Sequence, residues 1–123
     1  MTRVVAAVDC GRVVNPDGVI NQAEGGIIQA VSWTLKEQVR FDRTRITTRN
    51  WEDYPILTFD EVPAIEVVLA DRPEQPWLGV GEGMMGPTAA AVANAVFNAM
   101  GVRVRDMPLT RGRVVAAINS GER

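Results

Sequence analysis

Apolar and polar positions along the chain change rhythm several times, and each change marks an element. Arg3 to Val8 is β-branched and apolar enough for a buried strand, and it ends at the turn signal Asp9-Cys10-Gly11. Asn15-Pro16-Asp17-Gly18 reads as a second turn. From Val19 the spacing becomes helical. Ile20, Ala23, Ile27, Ala30, Val31 and Thr34 form one apolar stripe on a helix running to about Gln38, with Gln22, Gly26, Gln29 and Trp33 opposite. Gly25-Gly26 within that helix costs about 1 kcal/mol per glycine relative to alanine, so the pair calls for a backbone or ligand packed close against it.

Val39 to Thr48 mixes apolar and charged residues around Asp42-Arg43, which suits a hairpin or two short exposed strands. Trp51 to Asp60 is irregular. Pro63 then admits a strand from Ala64 to Ala70, and Pro73 and Pro76 force a loop after it. Thr88 to Met100 is a strong helix pattern starting just after Gly86-Pro87, with Gly101 as its C-cap. Val102 to Arg105 reads as a short strand, and Leu109 to Asn119 as a last helix with Val114, Val115 and Ile118 turned inward. The sum is an α+β fold: a small mixed sheet of four strands with two main helices packed on it.

At 123 residues, 46% hydrophobic and 23% charged, the chain is one globular domain or domain fragment over residues 1–123. Its net charge of -2 and pI near 5.1 give no reason to expect nucleic acid as a partner. Arg40, Arg43, Arg45 and Arg49 are interleaved with Asp42, Glu52 and Asp53 and read as a solvated face. Cys10 is the single cysteine, so no intrachain disulfide forms, and it reads as a small buried hydrophobe. Histidine is absent, which excludes His-based metal sites and Ser-His or Cys-His catalysis within the chain. No stretch resembles a signal peptide or approaches the ~20 apolar residues of a membrane span. The cytoplasm is therefore the default compartment, with the periplasm left open.

Candidate chemistry concentrates between Gly79 and Pro87, Gly-Val-Gly-Glu-Gly-Met-Met-Gly-Pro. Four glycines there, at 79, 81, 83 and 86, suit a loop that needs unusual dihedrals or very close approach to something else. Its one charged side chain, Glu82, is a carboxylate presented near a helix start. It can be a general base, or an acid offsetting the helix dipole, a role worth about 0.3–1 kcal/mol. Met84 and Met85 read as packing around the loop, and Trp77 as a buried anchor. Gly81-x-Gly83-x-x-Gly86 with Asp106 further on also matches a dinucleotide-binding fingerprint. Its context is wrong: Pro73 and Pro76 separate the glycines from the nearest strand, and Glu82 would repel a pyrophosphate.

Several blocks in order carry a resemblance. They are Val8-Asp9-Cys10-Gly11 with Asn15-Pro16-Asp17, Gln22-Ala-Glu-Gly-Gly-Ile-Ile28, Asp53-Tyr54-Pro55 with Asp60-Glu61-Val62-Pro63, Gly79-Val-Gly-Glu82, and Ala91-Val-Ala-Asn-Ala-Val96. Together they resemble the C-terminal part of the molybdenum-binding domain of the xanthine dehydrogenase and aldehyde oxidase family, in its isoquinoline oxidoreductase and nicotinate dehydrogenase form. The resemblance implies a hydroxylase that oxidises an aldehyde or N-heterocycle with water as the oxygen source, using a molybdopterin-type cofactor whose metal is held by the pterin dithiolene. Glu82 matches the general base of such enzymes, and Gln22 and Gly81 match cofactor-side positions. An amide suits that contact because it donates and accepts without adding charge.

Iron-sulfur clusters, on the same resemblance, belong to a small partner subunit. Where family members often have proline after the glutamate, this chain has Gly83. The full molybdenum subunit is several times longer, so the implied partners include its remainder, and a non-catalytic assembly fragment of that subunit is the alternative. A chain cut from a larger domain should expose contiguous apolar surface where the missing part sits.

Overall fold

A computed structural model of the chain describes residues 1–121. Strand β1 (Arg3–Val8) is followed by helix α1 (Pro16–Leu35), strand β2 (Ala64–Leu69), helix α2 (Met85–Met100) and helix α3 (Arg111–Ser120), with one 3₁₀ turn at Phe59–Glu61. β1 and β2 pair in parallel, Arg3 opposite Ala64 through Val8 opposite Leu69, so α1 lies within the long crossover that parallel strands need. The fold is α+β as expected.

Both strands alternate. Val4, Ala6, Val8, Ile65, Val67 and Leu69 face the helices, while Val5 and Val68 stand outward and are half exposed. α1 runs through the centre with Ile27, Ala30 and Val31 fully enclosed. One core cluster joins Val8, Cys10, Val19 and Ala23, and a second joins Ile27, Val31, Val92 and Leu109. Met84 packs against both, so the residue that opens α2 ties the two halves of the core together.

α1 begins earlier than its apolar stripe. Asn15 is its N-cap, its side chain accepting from Gly18 N–H at 3.0 Å, and Pro16 fills the first position where a missing N–H costs nothing. The residues read as a turn are thus the helix start. The helix stops at Leu35 instead of Gln38. Gly26 is buried on the face expected to be polar, because Met84 packs over it: a Cβ there would stand 3.5 Å from the Met84 Cβ.

Two of the four expected strands are absent among the described residues. Between Val39 and Thr48 only one bridge forms, Phe41 with Ile46. Asp42 accepts from Thr44 N–H, Thr44 hydroxyl and Arg45 N–H, which closes a tight turn but leaves the exposed arms nothing to pack on. Val102 to Arg105 has no regular secondary structure: Val102 is buried, Arg103 and Val104 are half-buried, Arg105 is exposed, and no ladder forms. Its Arg103 instead lies over the Phe97 ring at 3.9 Å and donates to Asn94. α3 is capped by the Thr110 side chain and buries Ala117, but Val115 and Ile118 remain exposed, contrary to the inward packing expected of them.

Candidate functional site

Residues 79–86 are held from both ends. At the front, the turn after β1 grips the proline-rich stretch: Gly11 N–H donates to Asp9, Arg72 N–H donates to the Gly11 carbonyl, and Leu78 N–H donates to the Cys10 carbonyl at 2.9 Å. Side chains reinforce the grip. Arg12 donates twice to the Pro73 carbonyl, Val13 N–H donates to Asp71, and Arg72 pairs with Asp9 at 3.0 Å. Gly11 has φ +69°, and a Cβ on it would fall 2.1 Å from the Pro76 carbonyl oxygen, so only glycine fits. At the back, Met84 is locked in the core and Met85 N–H closes on the Glu82 carbonyl at 3.1 Å.

Two of the residues singled out from the sequence meet here. Gln22, in the second turn of α1, donates its Nε2–H to the Gly81 carbonyl at 2.7 Å. Glu82 follows directly and is exposed. Among the described residues its carboxylate has no hydrogen-bond or ion-pair partner. α2 starts at Met85 with Met84 as N-cap, so Glu82 precedes the first turn, and its first turn carries no acid. The dipole role expected of a helix-terminal acid fades beyond that turn.

The glycines of the loop do not adopt left-handed dihedrals: positive φ occurs at Gly11, Gly101 and Gly121 only, among the described residues. Nor does the chain itself crowd them, since a Cβ on Gly79, Gly81 or Gly83 would meet nothing within 4 Å; Gly86, equally open, lies in the first turn of α2 and not in the loop. Gly25 on α1 is equally open. Trp77, expected as a buried anchor, is 69% exposed; with Leu78 it borders a shallow groove against Arg12, Val14 and Val19.

The acidic and aromatic blocks further back are ties to α1. The Tyr54 hydroxyl donates to Glu37 at 2.7 Å, and this bond above all, with burial and the Glu37 charge behind it, raises the Tyr54 pKa. Glu61 accepts from Lys36 and from Thr58 N–H and hydroxyl, which together hold its carboxyl down to about 2. Sequence reading missed Arg12, Asp71 and Arg72 as the clamp on the loop; the signal available was a glycine turn followed much later by two prolines, without any mark that the two segments touch.

No group of three or more His, Cys, Asp or Glu side chains is placed to hold a metal ion among the described residues. What the site offers is a free carboxylate, a partly used amide, and open main chain at glycines. Such a donor set suits a group that brings its own metal ligands and lies close against backbone.

Comparison with known proteins agrees with this character. Residues 1–63 match the family model described as a molybdopterin cofactor-binding domain. The chain is similar to a nicotinate dehydrogenase subunit from Pseudomonas putida, 48% identical over 96% of this chain and 10% of that protein. It is also similar to the beta subunit of isoquinoline 1-oxidoreductase from Brevundimonas diminuta, 38% identical over 89% of this chain and 14% of that protein. Among solved structures, quinoline 2-oxidoreductase from Pseudomonas putida 86 superposes with a TM-score of 0.86 at 34% identity, over 96% of this chain and 16% of that one. The chain therefore spans a small fraction of the length of the relatives it matches.

Proposed function

Because the chain belongs to the molybdopterin cofactor-binding domain family, as part of a molybdenum-binding subunit of the xanthine dehydrogenase family, we propose that it carries the general base, Glu82, of a molybdenum hydroxylase. The observation that supports this is the posture of Glu82: exposed, unpartnered among the described residues, ahead of the first turn of α2, in a loop whose glycines are open to something outside the chain. The cofactor, when bound, supplies a Lewis-acidic metal that acidifies water and takes up the electrons of the oxidation. With that group bound, Glu82 would serve as the base that takes a proton at its carboxylate, while the cofactor would supply the acidified oxygen source and accept the electron pair of the C–H bond that the new C–O bond replaces. A carboxylate is a strong enough base for the task only because the water is already acidified. Gln22 keeps a second Nε2 proton and its Oε1 available for the pterin side, and the Gly81 main chain lets the cofactor approach closely.

Nicotinate, isoquinoline and quinoline in the relatives' names share a ring nitrogen, which favours an N-heterocycle as substrate, with an aldehyde as the second class. The partners in this reading are the remainder of the large subunit, of which residues 1–123 form a C-terminal portion, and a small iron-sulfur subunit that receives the electrons. Glu82→Gln in the assembled enzyme tests it. Size and some hydrogen bonding are kept while the base is removed, so molybdenum content should stay at wild type and turnover should fall by about 10²–10⁴-fold. An active Glu82→Gln enzyme would remove the claim.

A further inference from the structure

We propose that Gln22 is a positioning residue for Glu82, fixing the loop through its hydrogen bond to the Gly81 carbonyl. The meaning of that position for catalysis rests on Glu82 being the base. The loop has firm supports at Leu78, bonded to Cys10, and at Met84, packed in both core clusters. Between them stand Gly79, Gly81 and Gly83, which have no side chains to anchor, Glu82, which is exposed, and Val80, which is partly buried. Val80 packs against the first core cluster and Met85 N–H closes on the Glu82 carbonyl; between those two contacts, the Gln22–Gly81 bond at 2.7 Å is the side-chain hydrogen bond that holds the peptide leading into Glu82.

Its donor is well founded. Gln22 lies between Val19 and Ala23, both buried, so its Cα is set by the core of α1 and not by solvent. Glu82 is bonded covalently to the residue whose carbonyl is gripped, and a peptide plane fixed at Gly81 limits the directions in which the next side chain can leave. Gly83 follows Glu82 and its backbone is freer than that of a residue with a Cβ, so an external tie on the other side of Glu82 matters more.

The test uses three variants of the assembled subunit. Gln22→Met keeps length and removes the donor, Gln22→Glu puts an acceptor against the carbonyl, and Gln22→Lys keeps a donor of similar reach. Amide hydrogen exchange is measured in the cofactor-free subunit, and molybdenum content, kcat and KM in the loaded one. Loss of one net hydrogen bond should speed exchange across residues 79–86 by roughly 3–10-fold in the Met and Glu variants, with α1 peptides unchanged. The Lys variant should return exchange toward wild type. Per bound molybdenum, kcat should fall in the Met variant while KM holds. Unchanged exchange in the Met variant overturns the proposal, and so does activity that falls only in step with molybdenum content, which would make Gln22 a cofactor contact alone. An active Glu82→Gln enzyme would sink the base and leave the exchange result standing, so the two failures are distinguishable.

Discussion

Glu61, part of one of the blocks that carry the family resemblance, is a fastener in the structure. It sits in the Asp60-Glu61-Val62-Pro63 block, and its carboxyl is drawn from the ordinary 4.5 down to about 2, first by the hydrogen bond from Lys36, then by Thr58 N–H and hydroxyl. A carboxyl depressed on folding adds stability that is complete above its unfolded pKa and is lost as pH falls through the folded one. The tie between the 3₁₀ turn and the end of α1 should thus be intact above pH 4.5 and released between about 4.5 and about 2. Because the pair is exposed, the release is local and not global unfolding. A carbon-detected titration of Glu61 should show a midpoint near 2 that moves up in Lys36→Met; an unmoved midpoint would assign the effect to Thr58 alone. Glu82 differs in kind. Its spacing in Gly-Val-Gly-Glu was legible in the chain, while its lack of partners among the described residues and its place ahead of the helix emerge only in three dimensions.

At the scale of elements, local rhythm was readable and pairing was not. α1, α2 and the two core strands followed from period, and Gly101 caps α2 at φ +70° as its place after the last apolar turn implies. Punctuation misplaced both helix starts: α1 begins at Pro16 and α2 at Met85, so Gly86 and Pro87, expected ahead of α2, lie in its first turn. The other two expected strands failed because alternation gives a segment two faces but supplies no neighbour to bond. Glycines divide the same way. Gly11 is demanded by the fold, so Gly11→Ala should lower the unfolding free energy by more than about 2 kcal/mol through the left-handed strain and the clash with Pro76, as denaturant titration would show. Gly25 is not demanded by anything in the chain: it is exposed in mid-helix with open space around it. Gly25→Ala should therefore stabilise the chain by about 1 kcal/mol. If a cofactor or the rest of the subunit packs on that face, the same variant should lower molybdenum content in the assembled enzyme, and a stabilised, fully loaded Gly25→Ala enzyme would show that the face is unused.

The molecule as a whole has a core but not a finished surface. Phe59 is fully exposed, Phe41 and Trp51 are each more than three-quarters exposed, and Val5 and Val68 cover the outer face of the two-stranded sheet. The unpaired side of β1 forms a groove of about 480 Å³ with Pro87, Thr88, Ala91, Val92 and Ala95 of α2, small side chains that leave room for an extended segment beside Val4 to Ala7. The relatives are several times longer than this chain, which covers 10% to 16% of those described above. No helix is long and apolar enough to cross a membrane among the described residues, so the exposed apolar side chains are not part of a helical span. Two outcomes follow for the chain expressed by itself. It should self-associate or bind a hydrophobic dye, because a surface of this kind seeks cover. It should also carry no molybdenum, since its oxygen donors and one buried thiol do not select that metal, and in the proposed reading the cofactor is held jointly with the remainder of the large subunit. Co-expression with the remaining large-subunit segments should abolish the dye signal and bring stoichiometric molybdenum together. A monomeric, dye-silent chain that holds molybdenum alone would contradict both the open edge and the divided site.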